Sequence, residues 1–192
     1  MRIRTIVNCD FCQKAKQIIA EKQSMTYIDL FSGKNDVDGE NHIDLNKLAF
    51  CICRGGWPKA LDQEEEISLM QANESINDLE TMGLFFENMC IRDLRVYADS
   101  LDGDVYHYRD KNGLECDAVL HLRNGSYGLI EVKLGGDKLI NEGVKTLNAL
   151  AGNIDTDKMQ APSFKMVLVG TGKYAYRQKD GIVIVPIGCL KD

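Results

Sequence analysis

"GLECDAVLHLRNGSYGLIEVKLG" occupies residues 113–135 and holds two strand-like runs, LECDAVLHLR and YGLIEVKLGG, around the turn signal Asn124-Gly125-Ser126. Each run alternates in character, and paired residues across a hairpin share a face. If 124–126 form a three-residue loop, Arg123 pairs with Tyr127 and Asp117 falls opposite Lys133. Asp117, Glu131 and Lys133 then share one face, and Ala118, Leu120, Leu122, Ile130, Val132 and Leu134 make the other wholly apolar. If Asn-Gly alone makes a two-residue turn, Arg123 pairs with Ser126 and Asp117 points away from Glu131 and Lys133. The sequence leaves both registers open.

Outward from this hairpin the pattern stays legible. Upstream, ESINDLETMGLFFENMCIRDLRVYADSL (74–101) has apolar residues at 79, 82, 86, 90, 94 and 97, a helical period. DVYHYRD (104–110) reads as a strand ending at the turn DKNG. Downstream, DKLINEGVKTLNALAGNI (137–154) reads as a second helix with Asp137 as its cap. FKMVLVG (164–170) suits a buried strand, and KYAYRQ and GIVIVPIG form a terminal hairpin turning at KDG. The order α-β-β-β-α-β predicts an α/β fold with a mixed sheet and helices packed on it, over residues 74–192.

Residues 1–73 read as a smaller N-terminal appendage. They suggest a strand at Ile3–Val7, a helix at about 11–22 and a strand at Met25–Leu30. Polar GKNDVDGEN, a short helical piece IDLNKLAFCI (43–52), turn-rich RGGWPKAL and acidic DQEEE follow.

The 192 residues and their 27% charged content fit a globular chain, and no apolar run approaches a membrane span. The start, MRIRTIVNCDF, has no signal-peptide apolar core, so a cytoplasmic location and no membrane partner are expected. Seven cysteines, an odd number, fit free thiols in a reducing compartment. The net charge of −6 lies in the first half, with 11 Lys and Arg against 17 Asp and Glu in residues 1–100 and 12 against 12 thereafter. An acidic chain is a poor non-specific nucleic-acid binder, although a local basic groove remains compatible with it.

Two carboxylates on neighbouring strands can hold Mg²⁺ or Mn²⁺, which take hard oxygen ligands, with the Val132 carbonyl as a third ligand. Such an ion lowers the pKa of a bound water and polarises a phosphate. Lys133 would orient the water or stabilise developing charge. Glu87 interrupts the apolar run GLFFENMCI, and a helix on the sheet could aim it at Asp117. The candidate set is therefore Glu87, Asp117, Glu131 and Lys133 for catalysis, and Glu87, Asp117, Glu131 and Val132 for the metal. Charges at alternate strand positions also mark an ordinary solvated face.

Glu87, Asp117 and the EVK of Glu131–Lys133 resemble the PD-(D/E)xK nuclease-like fold. More closely, GLFFENMCIRDLRVY, VYHYRDKNGLECDAVLHL and YGLIEVKLGG resemble a bacterial and archaeal family of AAA-type ATPases with a C-terminal domain of that fold. The resemblance covers about residues 75–192, and IDLFSGKNDVDG…LAFCICRGGWPKAL (28–61) is similar to a region downstream of the nucleotide-binding core. It implies a restriction-endonuclease-like core, with the appendage a remnant of an ATPase-associated region. It also implies metal-dependent phosphodiester hydrolysis on nucleic acid. The alternative is a non-catalytic interaction or scaffold module that binds a protein partner. The P-loop of such proteins is missing: in VGTGKY (169–174) position 167 is Val where Walker A needs Gly, and Tyr174 follows Lys173. The chain is thus expected to be a shortened relative without ATPase activity.

Cys9-x-x-Cys12 at a predicted helix start resembles the opening of glutaredoxin-like proteins, giving a third reading as a thiol redox protein. Cys9, Cys12, Cys51 and Cys53 could ligate zinc by type, but Cys51 and Cys53 lie in an apolar run that suits buried thiols. His107, Arg109, His121, Arg123 and Trp57 read as ordinary strand, surface or packing residues.

Overall fold

Asp78 starts the long helix of this fold, because its carboxylate accepts the Thr81 N–H at 3.1 Å and satisfies a donor the first turn leaves unpaired. The computed structural model of the chain describes residues 25–33, 37, 39–54, 70, 74 and 76–191. The expected elements at 3–7 and 11–22, the acidic run 62–66, Trp57, Cys9 and Cys12 lie outside the described residues.

In chain order the elements are β1 (Met25–Thr26), α1 (Tyr27–Phe31), β2 (Gly39–Glu40), α2 (Leu45–Arg54), α3 (Leu79–Ser100), β3 (Gly103–Arg109), β4 (Glu115–Leu122), β5 (Tyr127–Lys133), α4 (Asp137–Gly152), β6 (Phe164–Val169), β7 (Tyr174–Arg177), β8 (Val183–Pro186) and β9 (Leu190–Lys191). Seven strands form one mixed sheet in the order β2-β7-β8-β6-β5-β4-β3. β5, β6 and β8 run parallel, and the remaining pairs are antiparallel. β1 and β9 pair in a separate two-stranded ladder. Among the described residues no helix is long and apolar enough to cross a membrane.

Three local expectations change. Residues 25–30 are not one strand: the Thr26 hydroxyl accepts the Asp29 N–H at 3.1 Å while the Asp29 carboxylate takes the Thr26 hydroxyl at 2.7 Å. This reciprocal cap starts a helix at Tyr27. Asp137 does not cap α4; the capping position is Gly136, and Asp137 is the first helical residue. Leu79, counted in the apolar stripe of α3, is 54% exposed, while Met82, Phe86, Cys90, Leu94 and Tyr97 are buried.

The sheet has two apolar faces. On one, α3 lays Phe86, Cys90 and Leu94 over Ala118, Leu120, Ile130 and Val132, and Tyr27, Leu30 and Leu48 from the N-terminal elements join the same cluster. On the other, Leu147 and Leu150 of α4 cover Leu129, Val167 and Val169. A fully buried Leu or Phe contributes roughly 1.5–3 kcal/mol, so this two-sided core holds the strand register.

Candidate active site

The hairpin that positions the acidic residues closes one residue earlier than the loop drawn from sequence. Leu122 donates its N–H to Ser126 at 2.8 Å, Gly125 donates to Leu122 at 3.0 Å, and Gly125 sits at φ +88°. The loop is therefore Arg123–Gly125, a turn followed by a left-handed glycine. Ala118 pairs with Ile130 and His121 with Tyr127, so Asp117 is level with Glu131 rather than opposite Lys133.

A second feature overrides simple alternation. Tyr106 pairs with Val119 but Tyr108 pairs with Cys116, so Asp117 and Ala118 of β4 together face the single residue His107 of β3. This is a β-bulge, a device that re-aims a side chain and increases local twist. Its effect is visible in the core: Cys116 packs in the α4-side cluster while Ala118, two residues on, packs in the α3-side cluster.

The bulge frees the Asp117 side chain to enter the gap between β4 and β5. Its Oδ2 accepts the Val132 N–H at 2.7 Å, replacing a ladder bond, and also the Lys133 ammonium at 3.2 Å. Lys133 Nζ reaches Glu131 Oε2 at 2.7 Å on its other side. The two carboxylates are thus held around one cation. A strand residue sends its N–H and C=O to the same edge, so the Val132 carbonyl also faces the Asp117 side of β5. α4 crosses Glu131 at Gly143, where a Cβ would stand 3.4 Å from that of Glu131, in van der Waals contact.

The electrostatics follow from burial. Glu131 is only 4% exposed. Burial first, and then repulsion from Asp117, push its carboxyl up to about 7 despite the Lys133 ammonium. Burial would lower the Lys133 ammonium, but Asp117 and Glu131 outweigh it and raise the pKa. Both shifts have one sense: two acids against one lysine favour keeping protons. Half-buried Glu87 is raised by burial and then by Asp117, and drawn down by Lys133 and His107.

The structure therefore gathers Asp117, Glu131 and Lys133 in direct contact and leaves Glu87 within their field but outside that contact. Among the described residues no group of three or more His, Cys, Asp or Glu side chains assembles as a metal cluster. The donors that do converge are the Asp117 and Glu131 carboxylates, with the Lys133 ammonium between them. Arg109 is engaged with Glu115 at 2.8 Å, and the His121 ring stands 6.4 Å from that of Tyr106. The Cys116 thiol, beside the acids, is pushed up to about 12, first by burial, and is no nucleophile. Sequence reasoning missed the Val132 N–H, the bulge and Gly143; of these only Gly143, a glycine in mid-helix, left a mark in the sequence.

A family described as "Domain of unknown function (DUF4143)" matches residues 82–190. No curated protein and no solved structure matches the chain.

Proposed function

The chain belongs to the DUF4143 family, and from that premise we propose that it carries a PD-(D/E)xK-type site for metal-dependent hydrolysis of phosphodiesters in nucleic acid. The observation that supports this is the Lys133 ammonium held at 3.2 Å from Asp117 and 2.7 Å from Glu131. A lysine beside two acids on a strand end is the minimum set for the reaction: acids for the ion, an ammonium for the water or the phosphate. When bound, Mg²⁺ or Mn²⁺ supplies an acidified water and a polarised phosphate.

The chain's own groups have distinct tasks. The Val132 N–H fixes the Asp117 carboxylate in the strand gap. Glu131 must lose its proton before it can ligate, so affinity for the ion rises with pH through about 7. Asp117 and Glu131 would hold the ion, and Lys133, now bonded to both, would then be available to phosphate oxygens. Glu87, on α3, adds negative field to the site.

The rival reading, a non-catalytic module on the same scaffold, is compatible with the same geometry. One pair of measurements separates the two. Mg²⁺ or Mn²⁺ titration by calorimetry should show binding that is at least several-fold tighter at pH 8 than at pH 6. Labelled DNA and RNA should be cut in the same buffer, with Lys133→Ala and Asp117→Asn slower by at least about 10²-fold. Intact substrate with wild-type protein, together with no heat of metal binding at pH 8, leaves the module as the function.

A further inference from the structure

Tyr174 and Tyr176 on β7 are 58% and 44% exposed, while Ala175 between them is buried. Two residues apart on one strand, their Cα atoms are about 7 Å apart and their side chains leave the same face. Tyr176 pairs with Ile184, which belongs to the cluster under α4, so both rings rise from the α4 side of the sheet. α4 packs on β4, β5 and β6 and leaves this shelf open.

The shelf is also where an acidic chain turns basic. Lys173, Arg177 and Lys179 lie next to the tyrosines in a chain of net charge −6, whereas Lys158 is held by Asp155 and Lys165 by Asn148, each at 2.7 Å. Lys173 and Lys179 are exposed on either side of the tyrosines. The nearby acids are Glu40, paired across from Tyr174, Asp44, which lines a cleft together with Lys173, and Asp180, which accepts from Asn148 at 2.8 Å.

The topology links this shelf to the acidic site. Lys133 ends β5 level with Val169, and Val169 is level with Pro186 at the end of β8. β7 runs antiparallel to β8, so Tyr174 lies at that same end of the sheet. A cleft of about 620 Å³ also lies at this end, lined by Asp44, Leu45, Leu79, Leu134, Thr171 and Lys173, and its lining includes neither tyrosine nor Asp117, Glu131 or Lys133.

We infer that the Tyr174–Tyr176 shelf holds single-stranded nucleic acid, with bases stacked on the two rings and phosphates along Lys173 and Lys179. Stacking accepts any base, and lysines flanking the rings neutralise a backbone that passes between them. This names the polymer for the site proposed above, and rests on that proposal for its choice of nucleic acid over other polyanions.

The test is fluorescence anisotropy of a labelled oligo-dT with the full chain in EDTA at low salt, so that no hydrolysis contributes. Tyr174→Ala and Tyr176→Ala should each weaken binding about tenfold or more, and Tyr→Phe at either position should bind like wild type. Lys173→Ala with Lys179→Ala should flatten the dependence on salt. Both rings are exposed, so the variants should keep the wild-type circular dichroism. No oligonucleotide binding, binding indifferent to the alanine changes, equal affinity for a duplex, or equal competition by poly-glutamate each overturns the inference. Ring-dependent binding without metal-dependent cleavage keeps it while removing the hydrolytic reading; cleavage without ring-dependent binding does the reverse.

Discussion

Lys133 divides its ammonium between two carboxylates in unequal surroundings, and the difference sets how the chain responds to pH. Glu131, with a folded pKa of about 7 against an ordinary 4.5, binds its proton more tightly in the folded state than in the unfolded one. That contribution is present in full below the ordinary value and is lost as pH rises through the folded one. Its size is of order 3 kcal/mol. Urea unfolding at pH 5 and pH 8 should therefore show Glu131→Gln closing most of the gap that wild type opens between the two; parallel pH profiles would remove the burial argument. Lys133→Ala should act in the opposite sense, leaving buried Glu131 and half-buried Asp117 without a counterion and lowering the urea midpoint most at pH 8. The acids and the lysine were legible as Asp117 and an E-x-K spacing. Their mutual contact was not, because it depends on a backbone N–H from Val132 that no side-chain pattern encodes.

At the scale of elements, the hairpin teaches how much a glycine decides. Asn124-Gly125 signals a turn in any register, and the choice among loops falls to whichever residue can adopt a positive φ. Gly125, at +88°, takes that position and places Ser126 opposite Leu122. The alternation of apolar residues then agreed with the structure from Ala118 to Leu122, where the ladder is regular, and failed at Cys116, beyond the bulge. A two-residue period cannot announce an extra residue when Cys, Asp and Ala all tolerate either face. Gly125→Ala should cost about 1 kcal/mol through its left-handed φ, and Gly125→Asn less, read from thermal midpoints. At Gly143 a Cβ would already be in van der Waals contact, 3.4 Å from Glu131 and Val167, so a side chain larger than methyl has no room toward the sheet. Gly143→Val should thus destabilise by about 1–3 kcal/mol and shift the Glu131 titration, visible by carboxyl NMR, as α4 is pushed outward. Destabilisation with an unmoved titration would mean that α4 does not control the burial of Glu131.

For the whole molecule, the question is whether the residues before the long helix share its fate. The family match begins at residue 82. Yet Tyr27, Leu30, Leu48 and Ala49 are all at most 2% exposed and sit in the same cluster as Phe86 and Leu94. β2 extends the main sheet along β7, and β1 pairs with the last strand, β9. Gly170 makes the fit close: a side chain there would run into Leu48 and the Phe86 ring. The sequence suggested a helix at 43–52 and an apolar stripe on α3, but the two patterns stand about thirty residues apart with turn-rich chain between them, so neither named the other as its partner. If the shared core is energetically one unit, Leu48→Ala should cost about 2–5 kcal/mol, the range for a buried leucine that leaves a cavity. That loss should appear equally in hydrogen exchange of α2 and of β6, because a core this continuous opens as a whole. Far-UV and near-UV dichroism should then give one coincident urea transition in both wild type and variant. Two separated transitions, or protection lost in α2 while β6 stays protected at the wild-type level, would show that the N-terminal elements only lean on a domain that is stable without them.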